Sequence, residues 1–152
     1  MSPRLEPLMT LAVEVGDITS LGAVPTGERR VVAITGGSFD SDEGWRGRVL
    51  PGGADWQLLR GDGVLEVDAR YVLQDERGAR VQVISQGLRH GPPDVIAALA
   101  RGEAVDPSQY YFRTAMRFET AAAALVHLNH VIAVGIGARE ARLVRLDVFA
   151  LM

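Results

Sequence analysis

An alternation of apolar and polar residues with a period of two is the main pattern along the chain. Between residues 64 and 73 the odd positions are apolar or aromatic, and the charged residues take even positions. This alternation predicts a β-strand with one buried face and one polar face. Turn-forming residues flank the segment at 61–63 and 75–78, and residues 80–86 alternate again. The two segments therefore predict an antiparallel hairpin.

Similar short segments recur through the rest of the sequence. Further strands are predicted at residues 9–15, 30–35, 46–50, 55–59, 110–120, 131–136 and 143–151. Only residues 93–101 favour a helix, because the proline pair at 92–93 opens the segment and Gly102 ends it. Strands and helices do not alternate as they do in a parallel sheet. The sequence therefore predicts an all-β, single-domain antiparallel β-barrel of about eight to ten strands with one short helix.

Composition restricts the chemistry that the chain can perform. The 152 residues are expected to form one domain over positions 1–152, and all 16 basic side chains are arginine. The chain has no lysine and no cysteine, which excludes Schiff-base chemistry, thiol nucleophiles, disulfides and cysteine-ligated metal sites. Any catalysis must therefore use Asp, Glu, Arg, Tyr, Ser, Thr or one of the three histidines.

Charge and hydropathy make two classes of partner unexpected, namely nucleic acids and membranes. The net charge is −3, and no basic stripe follows the sequence, so we expect no nucleic-acid partner. No apolar run approaches the roughly 18 residues of a membrane helix, so no membrane partner is expected. The first residues lack the apolar core of a signal peptide, and a cytoplasmic location is the default expectation. A homodimer is expected from base rates alone.

Several segments resemble one bacterial protein family nearly from end to end. The matching segments are residues 34–39, 46–57, 65–71, 87–91, 110–114, 118–120, 128–129 and 148–149. The run Pro-Gly-Gly-Ala-Asp-Trp-Gln at 51–57 is quite specific, and the chain resembles the domain-of-unknown-function family 3237, also called UPF 0311, over roughly residues 8–151. The resemblance implies a single-domain antiparallel β-barrel and no established activity. One departure is the alanine-rich stretch 122–127, where the family usually has aromatic residues, so a pocket wall there is expected to be wider or less aromatic.

Asp55 and Trp56 follow the turn at 51–53 and are the first candidates for a site. A carboxylate held beside an indole at the mouth of a barrel would have a raised pKa and could act as a general base. The structural alternative is a turn-forming aspartate followed by a core tryptophan.

A second group of candidates lies on one face of the strand 110–120. Tyr111, Arg113, Arg117 and Glu119 share one parity, and apolar side chains share the other. If the polar face lines the lumen, Tyr111 and Arg113 could bind a carboxylate or an enolate oxygen, because the planar guanidinium matches a carboxylate. The alternative is that this face is in contact with solvent, as mixed faces of antiparallel sheets usually are.

Asp68, Arg70 and His90 complete the candidate residues. Asp68 and Arg70 lie two apart on one face of the central hairpin, where they could bind a substrate or form a solvent-facing stripe. His90 falls in the predicted loop 87–93 and is a candidate acid or base, although a surface histidine is the commoner outcome.

The remaining motifs do not indicate a metal or nucleotide site. His127 and His130 are three apart and no third ligand at a suitable spacing accompanies them, so no metal is expected. The glycines at 36–37 and 135–137 match neither a phosphate-binding loop nor a dinucleotide-binding motif, and no cofactor is expected.

These observations favour a cofactor-independent enzyme that carries out proton transfer on a small carbonyl- or carboxylate-bearing compound, as an isomerase, cyclase or lyase. Asp55 would be the base, His90 or Tyr111 the acid, and Arg113 the anchor, with Trp56, Asp68, Arg70 and Glu119 lining the substrate site. Two alternatives remain open. One is a non-catalytic carrier or sensor of a small lipophilic acid, and the other is a structural or assembly module with a solid lumen.

Overall fold

The computed structural model describes residues 1–152, and most of them lie in β-strands. The nine strands are β1 (Leu5–Val24), β2 (Gly27–Ser41), β3 (Arg46–Val49), β4 (Gly53–Leu59), β5 (Leu65–Asp75), β6 (Arg80–His90), β7 (Tyr111–Thr120), β8 (Ile132–Arg139) and β9 (Leu143–Leu151). One α-helix, α1 (Pro93–Ala100), joins β6 to β7. Two 3₁₀ segments cover Pro107–Gln109 and Ala123–His130.

The strands close into an antiparallel barrel. β1 pairs with both β2 and β9, and the neighbours β8, β7, β6 and β5 continue the ring. β3 and β4 share one position in this ring, because each of them pairs with β2 on one side and β5 on the other. Closure gives nearly every strand two hydrogen-bonded neighbours, which removes the exposed edges that an open sheet would have.

The inward faces of the strands carry two apolar clusters at opposite ends of the barrel. The larger cluster contains 20 buried residues, and the 3₁₀ segment Ala123–His130 closes its end with Leu125 and Leu128. The smaller cluster lies beneath α1 and consists of Leu65, Val67, Leu99, Tyr110 and Phe112. The two clusters do not fill the barrel between them, and this gap positions the site described below.

The predicted fold class is confirmed, and the differences concern the ends of elements and the two additional 3₁₀ segments. Each of the nine predicted segments is a strand, and the predicted helix 93–101 is the helix Pro93–Ala100. β1, β2 and β6 extend beyond the predicted bounds, so His90 is the last residue of a strand and not part of a loop. No helix of the structure has both the length and the hydropathy needed to cross a membrane.

Candidate functional site

A cavity opens at the end of the barrel that α1 covers. Its volume is about 390 Å³, which lies within the usual range for small-molecule sites. The walls come from every strand of the barrel except β3, and from the C-terminal end of α1. Strand β1 contributes Gly16, Asp17 and Ile18, which lie beyond the part of β1 that pairs with β9. The cavity is therefore built mainly from barrel strands, whose positions are fixed by hydrogen bonding.

Positive charge is concentrated on the walls of this cavity. Arg30, Arg89 and Arg139 all line it, from β2, β6 and β8. At the rim, Nη2 of Arg142 lies 2.9 Å from Oδ1 of Asp17. Hydrogen bonding also fixes the end of β8, because the backbone N–H of Arg139 donates to the Tyr110 hydroxyl at 2.8 Å. Three arginines that converge on one cavity favour an anionic ligand.

Asp55 is mostly buried and lies on the same cavity wall. Its Oδ1 accepts a hydrogen bond from the backbone N–H of Asp68 at 2.9 Å, and its Oδ2 accepts one from the side-chain amide of Gln57 at 2.9 Å. The Asp68 N–H is free for this bond because the β4–β5 ladder pairs Asp55 with Ala69 and Leu58 with Glu66 but skips the residues between. A local opening of the sheet thus provides one of the two donors that orient the carboxylate.

Gln57 connects the Asp55 carboxylate to the arginine cluster. Arg30 lies directly opposite Gln57 in the β2–β4 ladder. Nε and Nη2 of Arg30 donate to Oε1 of Gln57 at 3.2 and 2.8 Å, while the amide nitrogen of Gln57 donates to Asp55. The amide is therefore held in one orientation, with its donor directed at the carboxylate.

Burial changes the protonation of both kinds of charged group. Loss of solvent raises the pKa of Asp55, although the hydrogen bonds from Gln57 and Asp68 oppose this effect. Loss of solvent, together with the positive charges of Arg139 and Arg30, lowers the pKa of Arg89 to about 10. The cavity therefore holds a carboxylate that accepts a proton more readily than usual, beside a guanidinium that is still charged at neutral pH.

A smaller inner chamber of about 40 Å³ extends from the cavity toward the barrel centre. Asp55, Val15, Val67, Phe112 and Val144 line both spaces, so the two are adjacent. The walls of the chamber are mainly apolar, with the hydroxyl groups of three inward-facing residues among them. These residues are Tyr71, Ser85 and Thr114.

Two inward-facing glycines of β8 give the chamber its shape. A Cβ on Gly137 would lie 2.7 Å from the ring of Phe112, and a Cβ on Gly135 would lie 2.5 Å from Oγ1 of Thr114. Both contacts are closer than van der Waals radii allow. The two glycines therefore leave the space that Phe112 and Thr114 occupy. This packing explains why glycine stands at positions 135 and 137, which match no nucleotide-binding motif.

The structure brings only Asp55 of the predicted site residues into the cavity. Trp56 is next in sequence and points outward, with half of its surface exposed. The carboxylate of Asp68 accepts a hydrogen bond from Gln86 on the outer face, so this residue contributes to the site through its backbone N–H only. Arg70 is exposed on the same outer face.

The polar face of β7 lies on the outside of the barrel, so the alternative of a solvent-contacting face holds and Tyr111 and Arg113 do not line the lumen. Phe112 and Thr114 point inward, whereas Tyr111, Arg113 and Glu119 are exposed on the outside. His90 stacks on Tyr111 with ring centroids 4.9 Å apart, and the Arg113 guanidinium lies 5.3 Å from the Tyr111 ring. These three side chains form an outer-surface cluster, separated from Asp55 by the barrel wall.

Strand parity could have identified the residues that the sequence interpretation missed. Arg89 continues the inward positions Val81, Val83 and Ser85, and Arg30 shares the parity of Val32 and Ile34. Arg139 likewise continues the inward row of Ala133, Gly135 and Gly137. The three arginines lie near the ends of inward-facing rows. In the sequence, a charged residue at such a position suggests that a loop begins there.

The chain is similar in sequence to one protein family and to several bacterial proteins. The model of the family described as "Protein of unknown function (DUF3237)" matches residues 3–151. A UPF0311 protein of Rhodopseudomonas palustris is 42% identical over 150 residues, which covers 97% of both chains. A UPF0311 protein of Bradyrhizobium diazoefficiens is 37% identical over 154 residues and is matched over 100% of both chains.

Solved structures share the same barrel. The crystal structure of a conserved protein of unknown function from Rhodopseudomonas palustris has a TM-score of 0.96 at 38% identity, covering 100% of this chain and 99% of the other. A β-barrel-like protein from Acinetobacter baumannii has a TM-score of 0.87 at 36% identity, over 100% and 98% of the two chains. A protein described as an enzyme from Penicillium herquei has a TM-score of 0.74 at 21% identity, over 100% and 96%, and shares the fold. The match over almost the whole length and the identity to its relatives show that the chain belongs to the DUF3237 family, whose bacterial members are called UPF0311 proteins.

Proposed function

We propose that this protein binds a small organic acid inside the barrel and catalyses a cofactor-independent proton transfer on it, as an isomerase, cyclase or lyase. The observation that carries the proposal is the position of Asp55, whose carboxylate lies in the same cavity as Arg30, Arg89 and Arg139. The arginines would bind the acid and Asp55 would be the base. This assignment keeps the predicted base and transfers the role of anchor from Arg113 to the arginines of the cavity.

The arginine cluster supports binding of an anion. Arg89 is more deeply buried than Arg139, and its Nε has no hydrogen-bond partner within the protein. A buried donor without a partner is unfavourable, so a ligand carboxylate that accepts from it gains a strong charge-assisted hydrogen bond. The acid also reduces the repulsion between Arg89 and its neighbours Arg139 and Arg30.

The environment of Asp55 supports its role as a general base. Two donors fix the orientation of the carboxylate, and burial raises its pKa toward the range where it accepts a proton effectively at neutral pH. Asp55 would remove a proton from a carbon adjacent to a carbonyl, and the C–H electron pair would become the C=C bond of an enolate. For an isomerase, the same carboxylic acid would return the proton to a different carbon.

Asp55 also distinguishes the enzyme from the alternative of a carrier. A carrier of an anion needs only the arginines, and a carboxylate on the same wall weakens its affinity by repulsion. A proton-transfer enzyme needs both groups close together. The fold is compatible with catalysis, since the Penicillium herquei protein of similar architecture is described as an enzyme. The assembly module with a solid lumen is disfavoured by the 390 Å³ cavity.

Hydrogen–deuterium exchange on small oxo acids tests the proposal. The protein is incubated in D₂O with a panel of oxo acids of about four to eight carbons, and loss of the carbon-bound proton adjacent to the carbonyl is followed by proton NMR. We expect the protein to accelerate exchange for at least one acid. Asp55→Asn should reduce this exchange at least about a hundredfold while the acid still binds.

Two arginine variants provide the matched control. Arg89→Met should abolish binding of the acid, whereas Arg117→Met, which removes an exposed arginine from the outer face of β7, should leave binding and exchange unchanged. Binding without accelerated exchange would favour the carrier. Absence of binding across the panel would rule out both functions.

A further inference from the structure

Two buried hydroxyl groups in the inner chamber have no hydrogen-bond partner. They are the Tyr71 phenol and the Thr114 hydroxyl, on side chains that are 3% and 5% exposed. Buried polar groups are nearly always paired, and an unpaired one destabilises the fold. Each of these residues has an isosteric apolar counterpart, phenylalanine or valine, that would fill the same space without this cost. Two such groups in one chamber point to a polar atom that belongs to a ligand.

The chamber restricts the size and chemistry of the group that enters it. Its volume of about 40 Å³ accommodates about three water-sized groups. The surrounding side chains are mainly aliphatic, including Val13, Ile34 and Leu146. A charged group would lose its solvation there without a counter-ion, so a neutral oxygen at the end of a short apolar arm fits best.

Asp55 lines both the chamber and the arginine-lined cavity. A ligand whose acid group meets Arg89 and whose arm enters the chamber therefore passes Asp55 between its two ends. The carbon between these ends is presented to the carboxylate. When Asp55 removes a proton from that carbon, negative charge moves to the carbonyl oxygen, where hydroxyl donors stabilise it.

We infer that the substrate is an oxo acid, with its carboxylate at Arg89 and its ketone oxygen bound by the hydroxyl groups of Tyr71 and Thr114 in the inner chamber. This inference rests on the proposed function and names the substrate class of the same site. In the proton transfer the C–H bond breaks, its electrons form the enolate C=C bond, and the ketone π electrons move to the oxygen. Asp55 holds the proton, so no oxidant, reductant or co-reactant is consumed.

Matched pairs of acids test the assignment by isothermal titration calorimetry. The pairs are pentanoate with 4-oxopentanoate, hexanoate with 5-oxohexanoate, and heptanoate with 6-oxoheptanoate, so that each oxo acid is compared with its parent of equal length. For the pair of correct length, we expect the oxo acid to bind the unmodified protein about tenfold more tightly or better. Tyr71→Phe and Thr114→Val should each reduce this ratio, and the double variant should bring it close to one.

The parent acids and an exposed tyrosine serve as controls. Affinity for the parent alkanoate should stay within about twofold in both variants, because neither hydroxyl contacts it. Tyr111→Phe removes a phenol from the outer surface and should leave the ratio unchanged. The variants in the chamber are expected to fold, because each one replaces an unpaired buried hydroxyl with an apolar group of similar shape.

The two proposals fail in different ways. If oxo acids and parent acids bind the unmodified protein equally at every length, the role of Tyr71 and Thr114 is wrong and the anion site stands. If a preference exists but survives in the double variant, the oxygen is bound elsewhere and the inference is also overturned. If none of the six acids binds, the proposed function itself fails.

Discussion

The backbone N–H of Asp68 donates a hydrogen bond to Oδ1 of Asp55 at 2.9 Å, across a gap in the β4–β5 ladder. In a regular ladder this N–H would bond to a backbone carbonyl of the neighbouring strand. The gap redirects it to a side chain, so an interruption of the sheet orients the candidate base. The gap in the β4–β5 ladder is therefore one of the features that would prepare Asp55 for proton transfer.

The first prediction concerns the pH dependence of proton exchange. Asp55 must be ionised to act as a base, and burial raises its pKa, so activity should increase with pH on the acidic side, above the ordinary aspartate value of 3.8. Arg89 must be charged to hold the acid, and its pKa is lowered to about 10 by burial and by Arg139 and Arg30. We expect a bell-shaped profile of kcat/KM with an alkaline limb near pH 10, after subtraction of exchange without protein. A profile that stays level through about pH 11 would show that the pKa of Arg89 is not lowered in this way; loss of the alkaline limb in Arg89→Met, with a large rise in KM, tests its role as the anchor.

A second prediction concerns Gln57, which lines the cavity and donates a hydrogen bond to the Asp55 carboxylate. The hydrogen bond from Gln57 lowers the pKa of Asp55, so Gln57→Leu should raise that pKa and move the acidic limb of the profile to higher pH. Gln86→Leu is the matched control, because Gln86 donates to Asp68 on the outside of the barrel. The positioning role is refuted if the limb has the same midpoint in Gln57→Leu as in the unmodified protein.

The sequence was sufficient to predict the barrel but only part of the site. Period two is strong along β5, where Leu65, Val67, Tyr71 and Leu73 are all buried, as their parity predicts. On β7 the same alternation did not determine which face points inward. Polarity alone favoured Arg113 over Thr114 as a residue of the site. The burial of one face depends on how the barrel closes, which no single strand encodes.

Other features of the site depend on contacts between strands that are distant in sequence. The donor from Asp68 exists because the ladder opens between Asp55 and Leu58, and local residue preferences do not predict such an opening. The unpaired state of the Tyr71 and Thr114 hydroxyls is likewise a property of the packed interior. Arg89 was predictable in principle, since it continues the parity of Val81 and Val83.

The third prediction is a pH-dependent effect of Asp55→Asn on stability. The folded state raises the pKa of Asp55 above its unfolded value, so the folded protein binds more protons within that interval. The free energy of unfolding therefore loses this contribution as pH rises through the interval, and the loss is complete above the folded pKa. Asp55→Asn lacks the titration, so its stability relative to the unmodified protein should increase from about pH 4 to about pH 8.

Urea unfolding at both pH values measures this difference. Asp147→Asn removes an exposed carboxylate from β9 and controls for the loss of one formal charge. A relative stability of Asp55→Asn that decreases with pH would mean that the buried carboxylate is stabilised as an anion, which contradicts the predicted direction.

The fourth prediction concerns the closed end of the barrel. Leu128 is completely buried in the 3₁₀ segment Ala123–His130 and packs within the larger apolar cluster. Leu128→Ala should lower the free energy of unfolding by about 2–5 kcal/mol, because the cavity that it leaves cannot fully collapse. Val126→Ala, at an exposed position of the same segment, should change it by no more than about 0.5 kcal/mol. Equal effects of the two substitutions in urea unfolding would mean that the segment does not close the core.

The last prediction concerns Gly137 and the wall of the cavity. A Cβ at this position would lie 2.7 Å from the Phe112 ring, and Phe112 lines both the cavity and the inner chamber. Gly137→Ala must therefore displace the ring or the strand, and we expect it to lower the free energy of unfolding by about 1–3 kcal/mol. Gly61→Ala is the control, because its Cβ would meet no atom within 4 Å and its backbone is not in the left-handed region. Both substitutions restrict the unfolded chain equally, so the difference between their urea midpoints isolates the contact with Phe112. If Gly137→Ala is as stable as Gly61→Ala, the ring moves without strain, and the oxo-acid affinities of the variant then report whether it has moved into the chamber.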